Sequence, residues 1–181
     1  MPGATFAEGD SVALRTVEED DLDFVQTARN DPAVRRPLTL NRPANGEQIR
    51  TFFENAVCDD DSVSLLACEA DGDDPEAVGA LALFDEDDVA GTATISYWIA
   101  PDHWGNGYAT EAAELLCEHA FDDRRLNKLR ADVLVSNDAS RGVLESVGFE
   151  REGTLREEKF VGGDYEDVHR YGLLAAEWGG R

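Results

Sequence analysis

The chain has 181 residues, 42% of them hydrophobic and 30% charged, which predicts one globular domain spanning 1–181. Its 39 acidic and 16 basic residues give a formal net charge of −23, and this excludes a typical nucleic-acid-binding protein, which needs a basic surface. No apolar run approaches the roughly 18 residues of a membrane span and no secretory signal is visible, so we expect a cytoplasmic protein without a membrane partner.

The acidic residues are dispersed in short clusters where turns or element ends are expected, at 59–61, 71–74, 85–88 and 122–123. Such an excess destabilises a compact chain by self-repulsion unless salt screens it, and the screening length falls to about 3 Å at 1 M salt. We therefore expect a halophilic protein. An acidic face made for one basic partner is less consistent with dispersed charge.

No metal site is predicted. A calcium loop starting at Asp71 would place Glu76 where the turn glycine belongs and Ala82 where the bidentate glutamate belongs. The odd number and wide spacing of the cysteines argue against disulfides and paired-cysteine zinc sites, and predict reduced core thiols at Cys58, Cys68 and Cys117.

The first third of the chain predicts one strand and two helices. The strand covers 12–17, and a capping box of Thr16 and Glu19 opens a helix that Pro32 ends. A second amphipathic helix is predicted over 47–57.

The hydrophobic period then becomes that of an antiparallel meander, with strands at 62–70, 77–84 and 92–100. Helical periodicity returns from about Asn106 to Arg125. The remaining predicted elements are a strand at 128–135, a helix within 136–149 capped by Asn137 and stopped by Gly148, and a hairpin turning at Gly162–Gly163.

This order predicts an α/β fold, a mixed and mostly antiparallel seven-stranded sheet flanked by about four helices. One parallel crossover through the long helix joins the strand ending near Ala100 to the strand starting near Lys128.

The segment HWGNGYATEA, 103–112, stands where a strand runs into that helix. The first amides of a helix lack partners and the helix dipole favours negative charge there, so such an end binds phosphate. Gly105 and Gly107 remove side chains that would block the approach of a pyrophosphate. A mononucleotide loop and a dinucleotide fingerprint do not fit the residues that follow, which leaves coenzyme A, or a glycine turn that merely starts a helix.

Three blocks resemble the GNAT-type N-acetyltransferases, and within them the ribosomal-protein N-terminal-alanine (Rim-type) branch. The blocks are SYWIAPDHWGNGYATEA, VLVSNDASRGVLESVGFE and EREGTLREEKFVGGDYEDVHRYGLL. The resemblance implies that the strands near 94–100 and 129–135 splay and that the pantetheine arm of acetyl-CoA lies between them. The cofactor-binding residues that it implies are Trp98, Ile99, Trp104, Gly105, Asn106, Gly107, Tyr108, Ala109 and Asn137.

The chain departs from the family pattern at two catalytic positions. Leu144 stands where many relatives place a tyrosine that protonates the leaving thiolate, and Ser140 matches the serine that the branch is thought to use instead. Lys159 stands where relatives place a glutamate base, which leaves Glu158 as our catalytic candidate, with Glu157 beside it. Strand alternation predicts that only one of these two glutamates points into the cleft.

Purely structural roles also fit these residues. Ser140 fits a first-turn helix serine, Asn137 fits a simple cap, and either glutamate could pair with Arg156. The histidines do not match motif positions, so surface or packing roles are expected for His103, His119 and His169.

The resemblance implies direct attack of a neutral amine on the thioester of acetyl-CoA, without a metal. We predict an acetyl-CoA-dependent N-acetyltransferase whose acceptor is the N-terminal α-amine of a protein or peptide. The alternatives are a small-amine enzyme, for an aminoglycoside or polyamine, and a non-catalytic acyl-CoA-binding module. Members of the branch commonly form homodimers.

Overall fold

A computed structural model describes residues 2–59, 62–70 and 75–178 of the chain. Its strands are β1 (Thr5–Glu8), β2 (Val12–Thr16), β3 (Val63–Glu69), β4 (Ala77–Asp87), β5 (Thr92–Ile99), β6 (Lys128–Leu134), β7 (Glu150–Val161) and β8 (Asp164–Leu174). They form one eight-stranded sheet at the centre of the fold, with the order β1-β2-β3-β4-β5-β6-β8-β7.

Helices cover both faces of the sheet. They are α1 (Leu22–Asn30), α2 (Pro32–Arg35), α3 (Gly46–Phe52), α4 (Tyr108–Glu118), α5 (Asp138–Val147) and α6 (Ala175–Trp178), and π-type turns extend α3 over Phe53–Val57 and α4 over His119–Asp123. Trp98 packs on Phe24 of α1, whereas its neighbour Tyr97 hydrogen-bonds Ser140 of α5. Because successive strand residues face opposite ways, α1 and α5 lie on opposite faces.

The main core lies between the sheet and the helices α4 and α5. Fully buried side chains there include Leu14, Leu116, Leu129, Leu144 and Tyr171. The predicted amphipathic periodicity of the long helix is confirmed, because its buried residues Ala112, Ala113, Leu116 and Cys117 share one face.

The fold class is confirmed, with more elements than predicted. The sheet has eight strands instead of seven, because the four-residue edge strand β1 is too short to show an alternating pattern. Two of the six α-helices, α2 and α6, are single turns of four residues.

The predicted capping box is wrong by two residues. Glu18 and Asp21 form it, and Asp21 closes a 3₁₀ turn, Glu19–Asp21, ahead of α1. Thr16 cannot be the cap because β2 continues through it, and its hydroxyl donates to Glu18 Oε1 at 2.9 Å.

Of the acidic clusters, 85–88 lies at the end of a strand, and two others fall wholly or partly outside the described residues. The cluster 85–88 is largely strand, since β4 continues to Asp87 through an irregularity where Asp85 has a φ of 51°. Positions 60–61 and 71–74 lie outside the described residues.

The parallel pair β5–β6 is short, and it opens a gap in the sheet. Pairing covers Thr92 with Lys128, Ala93 with Leu129 and Thr94 with Arg130. Both strands continue beyond this point, to Ile99 and Leu134, without further pairing. The predicted splay of the central strands is therefore present.

The C-terminal hairpin forms as predicted, but β7 contains a bulge. Leu155 pairs with Val168 and Lys159 pairs with Glu166, so the three residues 156–158 face one residue, Asp167. Glu157 adopts a φ of 50°, and its amide donates to Asp167 Oδ1 at 2.7 Å. The bulge interrupts the alternation of side chains, so the rule that one of Glu157 and Glu158 must face the cleft does not apply here.

The cysteine prediction holds for two residues. Cys68 and Cys117 are buried and not in disulfides, whereas Cys58, also outside any disulfide, is exposed after the α3 extension. None of the helices in the described residues is long and apolar enough to cross a membrane.

Candidate functional site

A cavity of about 420 Å³ opens where β5 and β6 separate. Its walls come from β5, the loop after it, β6, the start of α5, and α2 with the turn that follows. The wall residues include Trp98, Ile99, Trp104, Gly105, Gly107, Tyr108, Ala109, Asn137 and Ser140. Most of the positions singled out in the sequence therefore come together around one space.

The main chain of β5 offers unpaired groups to this gap at alternate residues. Gly91 O accepts from Lys128 N at 3.1 Å on the β6 side, and Ala100 N donates to Val78 O at 2.8 Å on the β4 side. Odd-numbered residues of the regular strand therefore direct their peptide groups toward β6, and even-numbered residues toward β4. The amide of Ile99 fits main-chain recognition of a strand-like ligand, while its carbonyl accepts from the Trp104 indole; Trp98 lines the cavity but has its peptide groups in the β4 ladder.

The loop after β5 offers amides in an open setting. Gly105 and Gly107 both have a φ of 83°, and no atom lies within 4 Å of a Cβ built on either residue. Among the described residues, the main-chain amides of Gly105, Asn106 and Gly107 donate to no protein acceptor. The Asn106 side chain donates to His103 O at 3.1 Å and holds the loop. A left-handed φ at both glycines, with clear space above them, fits an anion-binding loop.

Trp104 contributes to the loop through its indole. Its amide already donates to Pro101 O at 3.2 Å, so that amide is used by the protein itself. Its Nε1 donates to Ile99 O at 2.7 Å and ties the loop to the end of β5, while the side chain remains 57% exposed. Tyr108 at the start of α4 donates its hydroxyl to Glu69 Oε1 at 2.9 Å.

Asn137 caps α5 and places Ser140 beside a tyrosine. Asn137 Oδ1 accepts from the Ser140 amide at 3.1 Å, which confirms the predicted cap. The Ser140 hydroxyl lies 2.9 Å from the Tyr97 hydroxyl, and the Tyr97 hydroxyl also lies 3.0 Å from Ser140 O. Burial raises the pKa of Tyr97 to about 12, so this phenol stays neutral. Leu144 is buried in the core and cannot replace the tyrosine of the relatives.

The carboxylate on the cavity wall is Asp132, which the sequence analysis missed. Arg170 holds it in a two-fold contact, Nε to Oδ1 at 2.9 Å and Nη2 to Oδ2 at 2.8 Å. These hydrogen bonds, and after them the charges of Asp132, Glu158 and Glu152, raise the pKa of Arg170. Glu158 thus lies near Arg170 but is absent from the cavity wall.

The three histidines occupy different settings. His103 lines the cavity beside the loop, 3.8 Å from Glu69 and 3.9 Å from Glu76. His119 pairs with Asp123 at the end of the α4 extension, as expected for a surface role. His169 is buried in β8 with Thr154 Oγ1 at 3.1 Å from its Nδ1, and burial lowers its pKa.

In the described part of the chain no group of three or more His, Cys, Asp or Glu side chains is arranged to hold a metal ion. The polar groups that line the cavity are main-chain amides, hydroxyls, the His103 imidazole and one paired carboxylate. This donor set suits a phosphorylated thioester ligand, since neutral amides bind phosphate without a metal.

The GNAT acetyltransferase domain model matches residues 11–150. The chain belongs to the GNAT acetyltransferase family. The matched part contains the open strand pair, the glycine loop and Ser140, and the enzymes of this family use acetyl-CoA as co-substrate. The chain is therefore an acetyl-CoA-dependent N-acetyltransferase.

Two relatives carry the name of an N-acetyltransferase, and one of these names gives an acceptor. The chain is 29% identical over 176 residues to the uncharacterized N-acetyltransferase p20 of Bacillus licheniformis, covering 93% of this chain and 96% of p20. It is 37% identical over 107 residues, 59% of this chain and 58% of the relative, to YdaF of Bacillus subtilis (strain 168), whose name provisionally assigns it as a ribosomal N-acetyltransferase.

The fold is also shared with a solved structure, spermidine N-acetyltransferase from Vibrio cholerae in complex with CoA and spermine. The TM-score is 0.86 at 24% identity, covering 94% of this chain and 99% of that chain. This level of identity supports the common fold and leaves the acceptor of this chain to be argued from its own cavity.

Proposed function

We propose that the acceptor is the N-terminal α-amine of a protein or peptide, as in the Rim-type branch, and that residues 1–181 form a single N-acetyltransferase domain. The observation that carries this proposal is the apolar cavity wall formed by α2 and the turn after it, which we take as the acceptor side. The carboxylate among the described wall residues, Asp132, is already paired with Arg170.

The wall contributed by α2 and the following turn consists of Ala33, Val34, Pro37 and Leu38. A polyamine carries several ammonium groups, and burying each one without a carboxylate partner is costly. A peptide N-terminus carries a single ammonium next to a neutral backbone and a side chain that can be small or apolar. The apolar wall therefore suits a peptide better than a polyamine.

The acid–base chemistry favours the same acceptor. The attacking nitrogen must be neutral, and an α-amine has a pKa of about 8 against about 10.4 for a lysine-type primary amine, a difference of roughly 3 kcal/mol in deprotonation. Arg170 contacts both oxygens of Asp132, so the carboxylate among the described wall residues is already paired with a cation. A weak base is sufficient for an α-amine, and Glu158, near Arg170, is our candidate.

Acetyl-CoA supplies the activated acetyl thioester. The amides of Gly105, Asn106 and Gly107, together with the start of α4, are proposed to hold its pyrophosphate, while the amide of Ile99 donates to the pantetheine arm. Ser140, positioned by the Asn137 cap, is proposed to donate a hydrogen bond to the sulfur as the bond to the acetyl carbon breaks. Trp98, Trp104, Tyr108 and Ala109 shape the walls around these groups.

A panel of acceptors tests the proposal. Peptides beginning with alanine or serine, the same peptides with a blocked N-terminus, spermidine and an aminoglycoside are compared by the loss of thioester ultraviolet absorbance. This readout avoids thiol reagents, which would also report the exposed Cys58. We expect turnover with free peptides and none with blocked ones.

Preference for spermidine or the aminoglycoside would refute the peptide assignment while keeping the enzyme class. Tight acetyl-CoA binding without turnover of any amine would instead favour a non-catalytic acyl-CoA-binding module.

A further inference from the structure

We propose that Tyr97 is a positioning residue for the transfer reaction, because its hydroxyl contacts the Ser140 hydroxyl and orients it toward the thioester sulfur. This inference rests on the proposed role of Ser140. Tyr97 lies in the first of the three blocks that carry the family resemblance, but the sequence analysis gave it no role, and it lies 43 residues before Ser140 in the chain.

The two hydroxyls share only two protons, and their arrangement decides what Ser140 can do. In one arrangement Tyr97 donates to Ser140 O at 3.0 Å, and the serine proton is directed to the tyrosine oxygen 2.9 Å away. In the other arrangement Tyr97 donates to Ser140 Oγ, and the serine proton is free to point into the cavity. The second arrangement lets Ser140 donate to a sulfur atom while its own oxygen accepts from Tyr97.

A sulfur that gains negative charge in the cavity stabilises the second arrangement, since it gives the serine proton a charged acceptor. In the resulting chain of hydrogen bonds, the bond that Ser140 accepts from Tyr97 strengthens the bond that Ser140 donates to the sulfur. Without the tyrosine hydroxyl, the hydroxyl of Ser140, in the first turn of α5, is free to turn toward a backbone carbonyl just before the helix. The hydroxyl of Tyr97 thus holds Ser140 in the cavity-facing rotamer.

Hydrogen bonding, rather than full proton transfer, is the role consistent with the electrostatics. Burial raises the pKa of Tyr97 to about 12. A thiol has a pKa of about 8.5, so moving a proton from the tyrosine to a thiolate would be disfavoured by roughly a thousandfold or more. The phenol remains neutral and the sulfur leaves with a donor beside it.

A double-mutant cycle tests the coupling. Tyr97→Phe and Ser140→Ala are each expected to lower kcat on the order of tenfold with little change in the KM for acetyl-CoA, and the double variant should lose no more than the Ser140→Ala variant. Ser140→Thr, which keeps a hydroxyl, should restore part of the rate. Tyr165→Phe is the matched control, since that side chain is 67% exposed on the hairpin.

A binding measurement tests the same contact without turnover. Calorimetry compares CoA with desulfo-CoA, which lacks the sulfur, and the thiolate absorbance of bound CoA is titrated against pH. Wild-type protein should prefer CoA and lower the pKa of its thiol, and both Tyr97→Phe and Ser140→Ala should remove this preference and raise that pKa.

Additive losses in the double variant, or an unchanged preference for CoA in the Ser140→Ala protein, would overturn the inference. The second result requires no Tyr97 variant, so it stands even if Tyr97→Phe fails to fold. Failure of the proposed function looks different, because wild-type protein would then prefer spermidine or the aminoglycoside, or turn over no amine, while the comparison of CoA with desulfo-CoA still reports on Tyr97 and Ser140.

Discussion

Replacing Gly107 with alanine should separate ligand binding from stability. Gly107 has a φ of 83°, and a Cβ built there meets no atom within 4 Å. The cost to the free protein is therefore that of a left-handed non-glycine residue, about 1–2 kcal/mol, without a steric clash. For a chain of this length, 1 kcal/mol lowers Tm by roughly 2–4 °C.

The expected loss of binding is larger. The new methyl group would occupy the open space in front of the unpaired amides, where a phosphate is proposed to lie. A hydrogen bond to a charged group contributes about 1.5–3 kcal/mol, so losing one should weaken CoA binding by roughly 10- to 150-fold. Calorimetry with CoA, next to thermal unfolding, measures the two effects.

The matched control is Gly162→Ala. Gly162 has a φ of 67° in the hairpin turn, and a Cβ there also meets no atom within 4 Å. It should show a similar Tm loss and wild-type affinity. If Gly107→Ala folds and binds CoA as tightly as Gly162→Ala does, the loop is not the phosphate site and the reasoning fails.

Further predictions concern the base, pH, thiols and salt. Glu158→Gln should lower kcat for a peptide acceptor several-fold, and more than Glu152→Gln does; equal losses would argue against Glu158 as base. Because the pKa of His169 is lowered, the unfolded chain binds more protons below about pH 6.5, so stability falls as pH drops through that range, by at most about 1.4 kcal/mol per pH unit. His169→Gln should flatten this slope in urea unfolding measured from pH 5 to 7, and an unchanged slope would contradict the assignment. A thiol reagent should modify Cys58 rapidly and Cys68 slowly, since burial raises the pKa of Cys68 to about 11; fast reaction of both in folded protein would contradict the burial. CoA affinity should rise from low to high KCl, and weaker binding at high KCl in folded protein would count against the electrostatic account.

Hydrophobic periodicity was enough to predict most of the fold. The alternation in β3, β4 and β5 and the helical period of α4 are properties of neighbouring residues, so they are visible in the sequence. The glycine loop was also visible, because a left-handed φ at Gly105 and Gly107 selects glycine locally.

The parts that were missed depend on pairs of residues distant in sequence. Tyr97 reaches Ser140 across 43 positions, and Asp132 reaches Arg170 across 38, in each case through the packing of elements. The bulge in β7 depends on Asp167 of the partner strand, whose carboxylate accepts from the Glu157 amide and stabilises the left-handed backbone there. The alternation rule failed at this point because it assumes a regular ladder.

A net charge of −23 and an anionic ligand are compatible because the two interactions act over different distances. The amides of Gly105, Asn106 and Gly107 act at hydrogen-bond range, about 3 Å, where no ion can intervene. The opposing carboxylates are dispersed, and two of them, Glu69 and Glu76, lie within 4 Å of His103 beside the loop. Salt at 1 M shortens the range of their repulsion to about 3 Å and leaves the amide contacts intact. We therefore expect this acidic chain to bind its anionic ligand through fixed local donors in place of basic side chains, with high salt weakening the long-range repulsion that opposes binding.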